Sequence, residues 1–538
     1  MGLLKNIFSK KDEENLINSG KEKYNLRDYQ GAINDFTALI ELNNQCFQAY
    51  SWRGLSKLLL YDYEGAKIDF EYSLNLNPNY SSKILYYLGI IEENLKNFPK
   101  AIDYFNSYIS KNGNDPEGYI ERAKIKSMQN ISLDAIIDYD KAINLNPTNP
   151  NYFTKRGFEK INILDYKMAI LDFNSAIEIN PLFAEAFNGR GLAKLKMQDL
   201  EQALKDFQTA IEIEPSLKDA HFNLGLLFYE TQKYSEAINS FNTAINYDDK
   251  FLNAYIFKAK AKFKIDDPDG ALQDFSKVIE LDPDNSEAFK QLGKIKKILM
   301  DFEGASHDFL TASELSPNDI EIYFLLSELE EERNNFEQSL KYLDKILEID
   351  PNLEIAYKQR GILKFNQKKI YDAQKDFNKA IEINPKSFEA YFYRAKIKDQ
   401  LKDNYGALAD ITLALQNPEF IDAYVFRGQL KTGKGDDYAA SLDFSKAIKL
   451  NPKNPELYFL RAKAYRKLEM PKEAEHDLST AIKINPNYVE AYFLRALVNF
   501  EIWDFKQTIK DCQTVISLNP AYKDQINPIL EKAKQKVL

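Results

Sequence analysis

One alanine-centred motif returns almost every 34 residues along this chain, and no other feature of the sequence constrains its fold as strongly. Copies of xxA(I/L)xDF place Ala32, Ala66, Ala101, Ala135, Ala169, Ala203, Ala237, Ala271, Ala305, Ala373, Ala407, Ala440 and Ala474 in register, with Ser339 and Thr508 in the two remaining slots. The step is 34 residues except between Ala66 and Ala101 (35) and between Ala407 and Ala440 (33). A fixed period of this length marks an array in which each repeat is one supersecondary element stacked on its neighbours. Composition agrees, because 33 Tyr and 35 Phe stand beside only 2 Trp, as when one small pattern is reused.

With the alanine called position 20, the other positions explain themselves. Position 8 is always small, as in Gly54, Gly191 and Ala462. Position 4 is aromatic in twelve repeats, position 24 is apolar in all fifteen, and position 32 is Pro in eleven. Apolar residues three and four apart predict two amphipathic helices, at positions 2–14 and 17–30. Small residues at 8 and 20 let those helices approach closely, and proline at 32 ends the second. One hairpin cannot bury its own apolar face, so neighbours must stack, which predicts an elongated all-α fold.

The register divides the chain into a tail at 1–12, fifteen repeats and a last segment at 523–538. The repeats cover 13–46, 47–81, 82–115, 116–149, 150–183, 184–217, 218–251, 252–285, 286–319, 320–353, 354–387, 388–420, 421–454, 455–488 and 489–522. Ile526, Ile529, Leu530 and Val537 suit a helix capping the last repeat, with Pro528 near its start.

This pattern resembles the tetratricopeptide repeat family: an aromatic at 4, small residues at 8, 20 and 27, an aromatic at 24 and Pro at 32. Position 27 departs at Ser73, Tyr108, Val278, Ile346 and Val515, where looser or shifted packing is expected. The resemblance implies a right-handed superhelical solenoid whose inner groove, lined by first helices, binds peptides or partner proteins. Some members clamp chaperone C-termini with lysines and asparagines from three consecutive repeats, and no three repeats here supply that set.

Nine repeats carry Arg at position 7, and the same nine carry Asp at position 23, as in Arg190/Asp206, Arg360/Asp376 and Arg461/Asp477. The three repeats with Tyr104, Ser240 or Tyr342 at 23 have Leu88, Leu224 or Leu326 at 7. This covariation inside one chain predicts a partly buried Arg–Asp pair within each hairpin, or less simply an anion site.

The groove expected from the resemblance uses positions 2, 5, 9 and 12. Position 5 is often apolar (Ile120, Phe222, Ile256, Phe324, Phe392, Val425, Phe459, Phe493), either as a partner-binding stripe or as cover for aromatic neighbours. Position 9 is often Lys, and position 2 usually acidic, as in Glu117, Glu185, Glu287, Glu389 and Glu490. Lys260, Lys264, Lys290, Lys294 and Lys297 form the densest basic cluster. They would receive an acidic tail, or be neutralised by Glu328, Glu331 and Glu332.

The remaining features mostly exclude. A formal charge of −10 disfavours nucleic acid, whose phosphates need a basic surface. No apolar run reaches the roughly 18 residues of a membrane span. The opening MGLLKNIFSKK lacks a signal-peptide h-region, and Asn6 stands where a myristoylation motif wants Ser or Thr. Its Leu3, Leu4, Ile7 and Phe8 would form a short amphipathic anchor or a solvated end. Two cysteines, Cys46 and Cys512, fit a reducing, cytoplasmic setting. His221, His307 and His476 fall in different repeats, with His221 expected in the core. No phosphate loop or CxxC pair is present, so no catalytic residue, metal or cofactor is expected and the chain reads as a non-enzyme.

Overall fold

The computed structural model describes residues 10–537. Among them every regular element is helical: thirty-one α-helices, from Lys10–Asn25 to Lys523–Val537, and one 3-10 turn at Pro520–Tyr522. The amphipathic anchor considered for Leu3 to Phe8 lies outside the described residues. The structure divides into an N-terminal half, Met1–Ala288, and a C-terminal half, Phe289–Leu538.

Within each half the helices pack in consecutive antiparallel pairs. Ala184–Lys196 lies against Leu200–Ile213 in the sixth hairpin, and Ile320–Glu332 against Phe336–Ile349 in the tenth. Each second helix then meets the first helix of the next hairpin, as Tyr166–Ile179 meets Ala184–Lys196. Most first helices occupy positions 1–13, one residue ahead of expectation, and most second helices keep positions 17–30, although Asn404–Ala414 in the shortened twelfth repeat stops at position 27.

Local chemistry sets these limits. At position 16 an aspartate caps the second helix in many repeats: Asp62 accepts from the Gly65 N–H at 3.0 Å and Asp301 from the Gly304 N–H at 2.9 Å. The second helix stops at an extended residue, which suits a following proline, as at Asn77 (φ −147°, ψ 93°) before Pro78, and which Asn43 and Asp248 adopt without one. Position 15 turns the chain between helices with φ near +60°, at Leu164 (65°), Gln198 (64°) and Trp503 (67°) among others. Among the described residues the one glycine with positive φ, Gly435 at 81°, fills this slot in the thirteenth hairpin.

The core is a column of phenylalanine rings laid against glycines. A Cβ built on Gly191 would sit 2.7 Å from the Phe207 ring, and one on Gly225 2.5 Å from Phe241. Every repeat with glycine at position 8 has phenylalanine at 24; of the repeats with alanine there, Ala259 still faces Phe275 and Ala123 faces Tyr139, while Ala395 faces Ile411 and Ala462 faces Leu478. The small residue therefore accommodates the ring at 24, as well as the approach of position 20.

The expectation of looser packing at position 27 does not hold. Ser73, Tyr108, Val278, Ile346 and Val515 are all buried, with Tyr108 2% exposed and the other four 0%. Size is balanced across the seam instead. Tyr108 fits because the next hairpin offers Gly118, whose Cβ would lie 2.8 Å from that ring. Opposite Ser73 the next hairpin offers the larger Ile84.

At the C-terminal end Ile526 and Leu530 cover Cys512 and Val515, while Val537 is exposed and takes no part. Pro528 lies inside this last helix rather than at its start. Both cysteines are buried, and burial pushes the Cys512 thiol up to about 11.

Candidate functional site

The charged residues written into the repeat form structural networks. In all nine Arg–Asp hairpins the guanidinium makes a two-pronged contact with its aspartate. Arg190 donates Nε–H to Asp206 at 3.0 Å and an Nη2–H at 2.6 Å, Arg360 reaches Asp376 at 3.0 and 2.6 Å, and Arg461 reaches Asp477 at 2.7 Å twice. The aspartate side chains are 6% exposed or less, so a paired planar cation is what makes their burial tolerable. Each arginine also lies over the aromatic ring at position 4, as Arg190 over Phe187 at 5.2 Å.

Two partners escaped the sequence reading. A lysine at position 11 takes the second carboxylate oxygen in most of these hairpins, as Lys194 does on Asp206 at 2.7 Å and Lys364 on Asp376 at 2.8 Å. The fourteenth hairpin has Tyr465 there and the fifteenth Asn499. In addition, eight of the nine arginines donate Nη1–H to position 25 of the preceding hairpin: Arg53 to Thr37, Arg122 to Asn106, Arg156 to Asp140, Arg190 to Asn174, Arg360 to Asp344, Arg394 to Asn378, Arg461 to Ser445 and Arg495 to Ser479. The arginines thus link hairpins as well as helices. Their donors are committed to the chain itself, which leaves the anion-site reading without support.

The candidate partner residues fare unevenly. Lys290 is 7% exposed and held by Asp319 at 3.1 Å and Glu321 at 2.9 Å, and Lys294 reaches Glu321 at 2.6 Å. Hydrogen bonds from Lys294 and Lys290 hold the Glu321 carboxyl below its usual range. Lys297 is shared by Glu328 at 3.1 Å and Glu332 at 3.0 Å. Glu331 was expected to join them but accepts from Ser339 at 3.2 Å, and burial raises its pKa. In the N-terminal half, Lys260 lies over Phe257 at 5.3 Å, Lys264 is exposed in the last turn of its helix and Ile256 is half-buried.

Position 5 needs a correction. Phe392 is only 7% exposed, because Phe420, the last residue of its repeat, packs on it at 5.0 Å. Tyr488 packs on Phe459 at 5.3 Å and Phe251 on Phe222 at 5.0 Å in the same way. An aromatic residue entering the next first helix thus covers the stripe. Phe324 is half-buried and lines a hollow of about 380 Å³ with Ile355 and Ile362. His221 is not core: it donates Nε2–H to the Pro215 carbonyl at 2.9 Å and stacks on Tyr247, a seat that Tyr323 and Tyr458 fill with a hydroxyl.

One further surface feature was missed from sequence. In the N-terminal half a hollow of about 310 Å³ opens over three successive first helices, Pro150–Asn162, Ala184–Lys196 and Lys218–Glu230. Phe158, Leu192, Phe222 and Phe251 contribute its apolar lining. Two buried asparagines also line it, Asn188 (4% exposed) and Asn223 (7%), and Asn223 donates Nδ2–H to Asn188 Oδ1 at 2.9 Å. That one bond leaves the Asn188 amide N–H groups and the Asn223 carbonyl oxygen for whatever enters. Beside the hollow, Gly189 leaves room for the Phe173 ring, which a Cβ there would meet at 2.3 Å. Lys155, Glu185 and Asp219 complete the polar lining. Two unremarked asparagines in different repeats gave the sequence reading no periodic signal.

Among the described residues no group of three His, Cys, Asp or Glu is placed to hold a metal ion, and no helix is long and apolar enough to cross a membrane. A family model described as TPR repeat matches residues 191–232, and models described as Tetratricopeptide repeat match 84–115, 218–251, 252–285, 320–353, 421–454 and 444–476. Among solved structures the chain is similar to YrrB, described as a TPR protein with an unusual peptide-binding site (23% identity, 34% of this chain and 95% of that one, TM-score 0.31). It is also similar to the APC/C hetero-tetramer Cut9–Hcn1 (12% identity, 90% and 96%, TM-score 0.39) and to a tetratricopeptide repeat protein from Parabacteroides merdae (22% identity, 46% and 98%, TM-score 0.37). No curated protein sequence matches the chain.

Proposed function

The chain belongs to the tetratricopeptide repeat family, whose members generally mediate contacts between proteins, and from that premise we propose that it is a non-enzymatic scaffold binding an extended segment of a partner along the face of its first helices. The observation that carries this reading is the asparagine pair in the hollow. The two side-chain amides spend one hydrogen bond between them, and the polar atoms that remain line the hollow, where a partner can take the place of water. A peptide group offers the matching donor and acceptor. The net charge of −10 favours a protein over a nucleic acid, and the two buried thiols fit a cytoplasmic setting.

A photo-crosslinking amino acid at Leu192, inside the hollow, should capture a partner in cells, and the same group at Lys205, on an exposed second helix, should not. Capture from position 205 alone would overturn the proposal. A second reading, self-association through the outer face of second helices, draws support from Leu133 (66% exposed), Ile137 (57%), Met168 (44%) and Leu171 (54%) on two successive second helices. Light scattering separates the two: this reading requires a dimer that Ile137→Asp with Leu171→Asp returns to monomer.

A further inference from the structure

The C-terminal half shows what settles on the acid at position 2 of a first helix. Glu321 receives Lys290 and Lys294, and Glu389 receives Lys358 at 3.0 Å. Those lysines stand at positions 5 and 9 of the preceding first helix. In the N-terminal half Glu185 and Asp219 hold the same acid position, but Thr154 and Phe158, then Asn188 and Leu192, stand where the lysines would be. Neither carboxylate has an ion pair among the described residues, and both line the hollow. With Lys155 the one cation in that lining, the site carries a surplus of one negative charge.

A carboxylate in a first helical turn is favoured by the helix dipole on its own, so the two acids alone mark nothing. The independent sign is the asparagine pair: two side chains more than nine-tenths buried, in the same hollow, with bonding capacity left over. Resting on the proposed peptide-binding role, we infer that this hollow receives a lysine or arginine side chain of the partner segment. The cation lies between Glu185 and Asp219, supplied in trans where the C-terminal half supplies its own lysine. The aliphatic stem rests on Leu192 and Phe222, and the neighbouring peptide group bonds Asn188 and Asn223. An acidic segment would meet the surplus charge and be refused.

The test pans a phage-displayed random heptapeptide library on the immobilised full-length chain and measures the selected peptides by fluorescence anisotropy. Selected peptides should carry Lys or Arg, and the surface variant Glu185→Lys/Asp219→Lys should weaken them by about tenfold or more. Asp219 is exposed and Glu185 half-buried, so that variant too is checked for helicity. Asn188→Ala/Asn223→Ala, checked for helicity by circular dichroism, should weaken the same peptides. Peptides without basic residues that still depend on the asparagines would overturn the charge assignment and leave the scaffold reading standing. Basic peptides indifferent to both variants would place recognition elsewhere and overturn the inference. No enrichment, together with no capture from position 192, would remove both.

Discussion

The sixth and tenth hairpins share the same two helices and the same turn, yet they fill their centres in opposite ways. In the sixth, Asp206 is buried under Arg190 and Lys194. In the tenth, Leu326 and Tyr342 replace the arginine and aspartate, and Glu330 stands where the lysine would be. Glu330 is 4% exposed and takes its partners from its own end of the hairpin, Arg333 at 3.1 Å and the Asn335 amide at 2.6 Å. The third hairpin repeats this substitution as a set, with Leu88, Glu92 and Tyr104, and Glu92 meets Lys67 of the preceding hairpin at 2.9 Å. The backbone is therefore indifferent to whether its centre holds an ion pair. What these hairpins share is that the carboxylate buried at their centre, Asp206, Glu330 or Glu92, meets a cation.

That comparison breaks most visibly if one partner is removed. Arg461→Leu should destabilise its hairpin by about 3–5 kcal/mol, because Asp477 has no lysine at position 11 to fall back on. Arg190→Leu should cost less, since Lys194 remains on Asp206. Adding Asp206→Tyr, which copies the tenth hairpin, should recover part of that loss. Amide exchange within each hairpin measures these differences better than one melting curve, because long arrays do not unfold in two states. Equal losses for the two arginines, or no coupling in the double-mutant cycle, would refute the partner-counting argument.

Next in size comes the core. Gly191→Ala should cost about 1–3 kcal/mol by driving a methyl into the Phe207 ring, and Phe207→Leu, the residue type of Leu343 in the tenth hairpin, should relieve it. A smaller effect separates the two kinds of hairpin by pH. Burial, then the Glu71 charge, pushes Tyr104 up to about 12 from its usual 10. The folded state keeps a proton that the unfolded chain releases, so this contribution is complete below pH 10 and is lost between 10 and 12. Tyr104→Phe should flatten the alkaline loss of exchange protection in the third hairpin and leave the sixth unchanged. Smallest of all, and common to both kinds, Leu164→Gly should stabilise by about 1 kcal/mol by relieving a left-handed residue, measured as a shift in urea midpoint.

Much of this was legible from residue order because periodicity multiplies a weak signal. The arginine and aspartate at positions 7 and 23 vary together within one chain, and geometry brings all nine pairs into contact. The lysine at position 11 was equally periodic, but its partner was already assigned to arginine. The sequence offers Glu328, Glu331 and Glu332 as acids for the lysine cluster, whereas Asp319 and Glu321 hold Lys290 and Lys294 across a seam whose register no local spacing reveals. The cover over Phe392 comes likewise from the next seam. The hollow was invisible for another reason. Its polar centre is made by two asparagines in different repeats, so no pattern announced it.

Arginines that clasp two hairpins at once also set the size of the pieces in which the array can come apart. In the N-terminal half such a bond crosses into the second, fourth, fifth and sixth hairpins. The seams entering the third, seventh and eighth hairpins, where Leu88, Leu224 and Lys258 stand, have none among the described residues. Lys67 with Glu92 bridges the seam entering the third hairpin, and Asn223 with Asn188 that entering the seventh. Spontaneous breathing should therefore begin at the seam entering the eighth, and proteases should nick the chain there before nibbling it from one end.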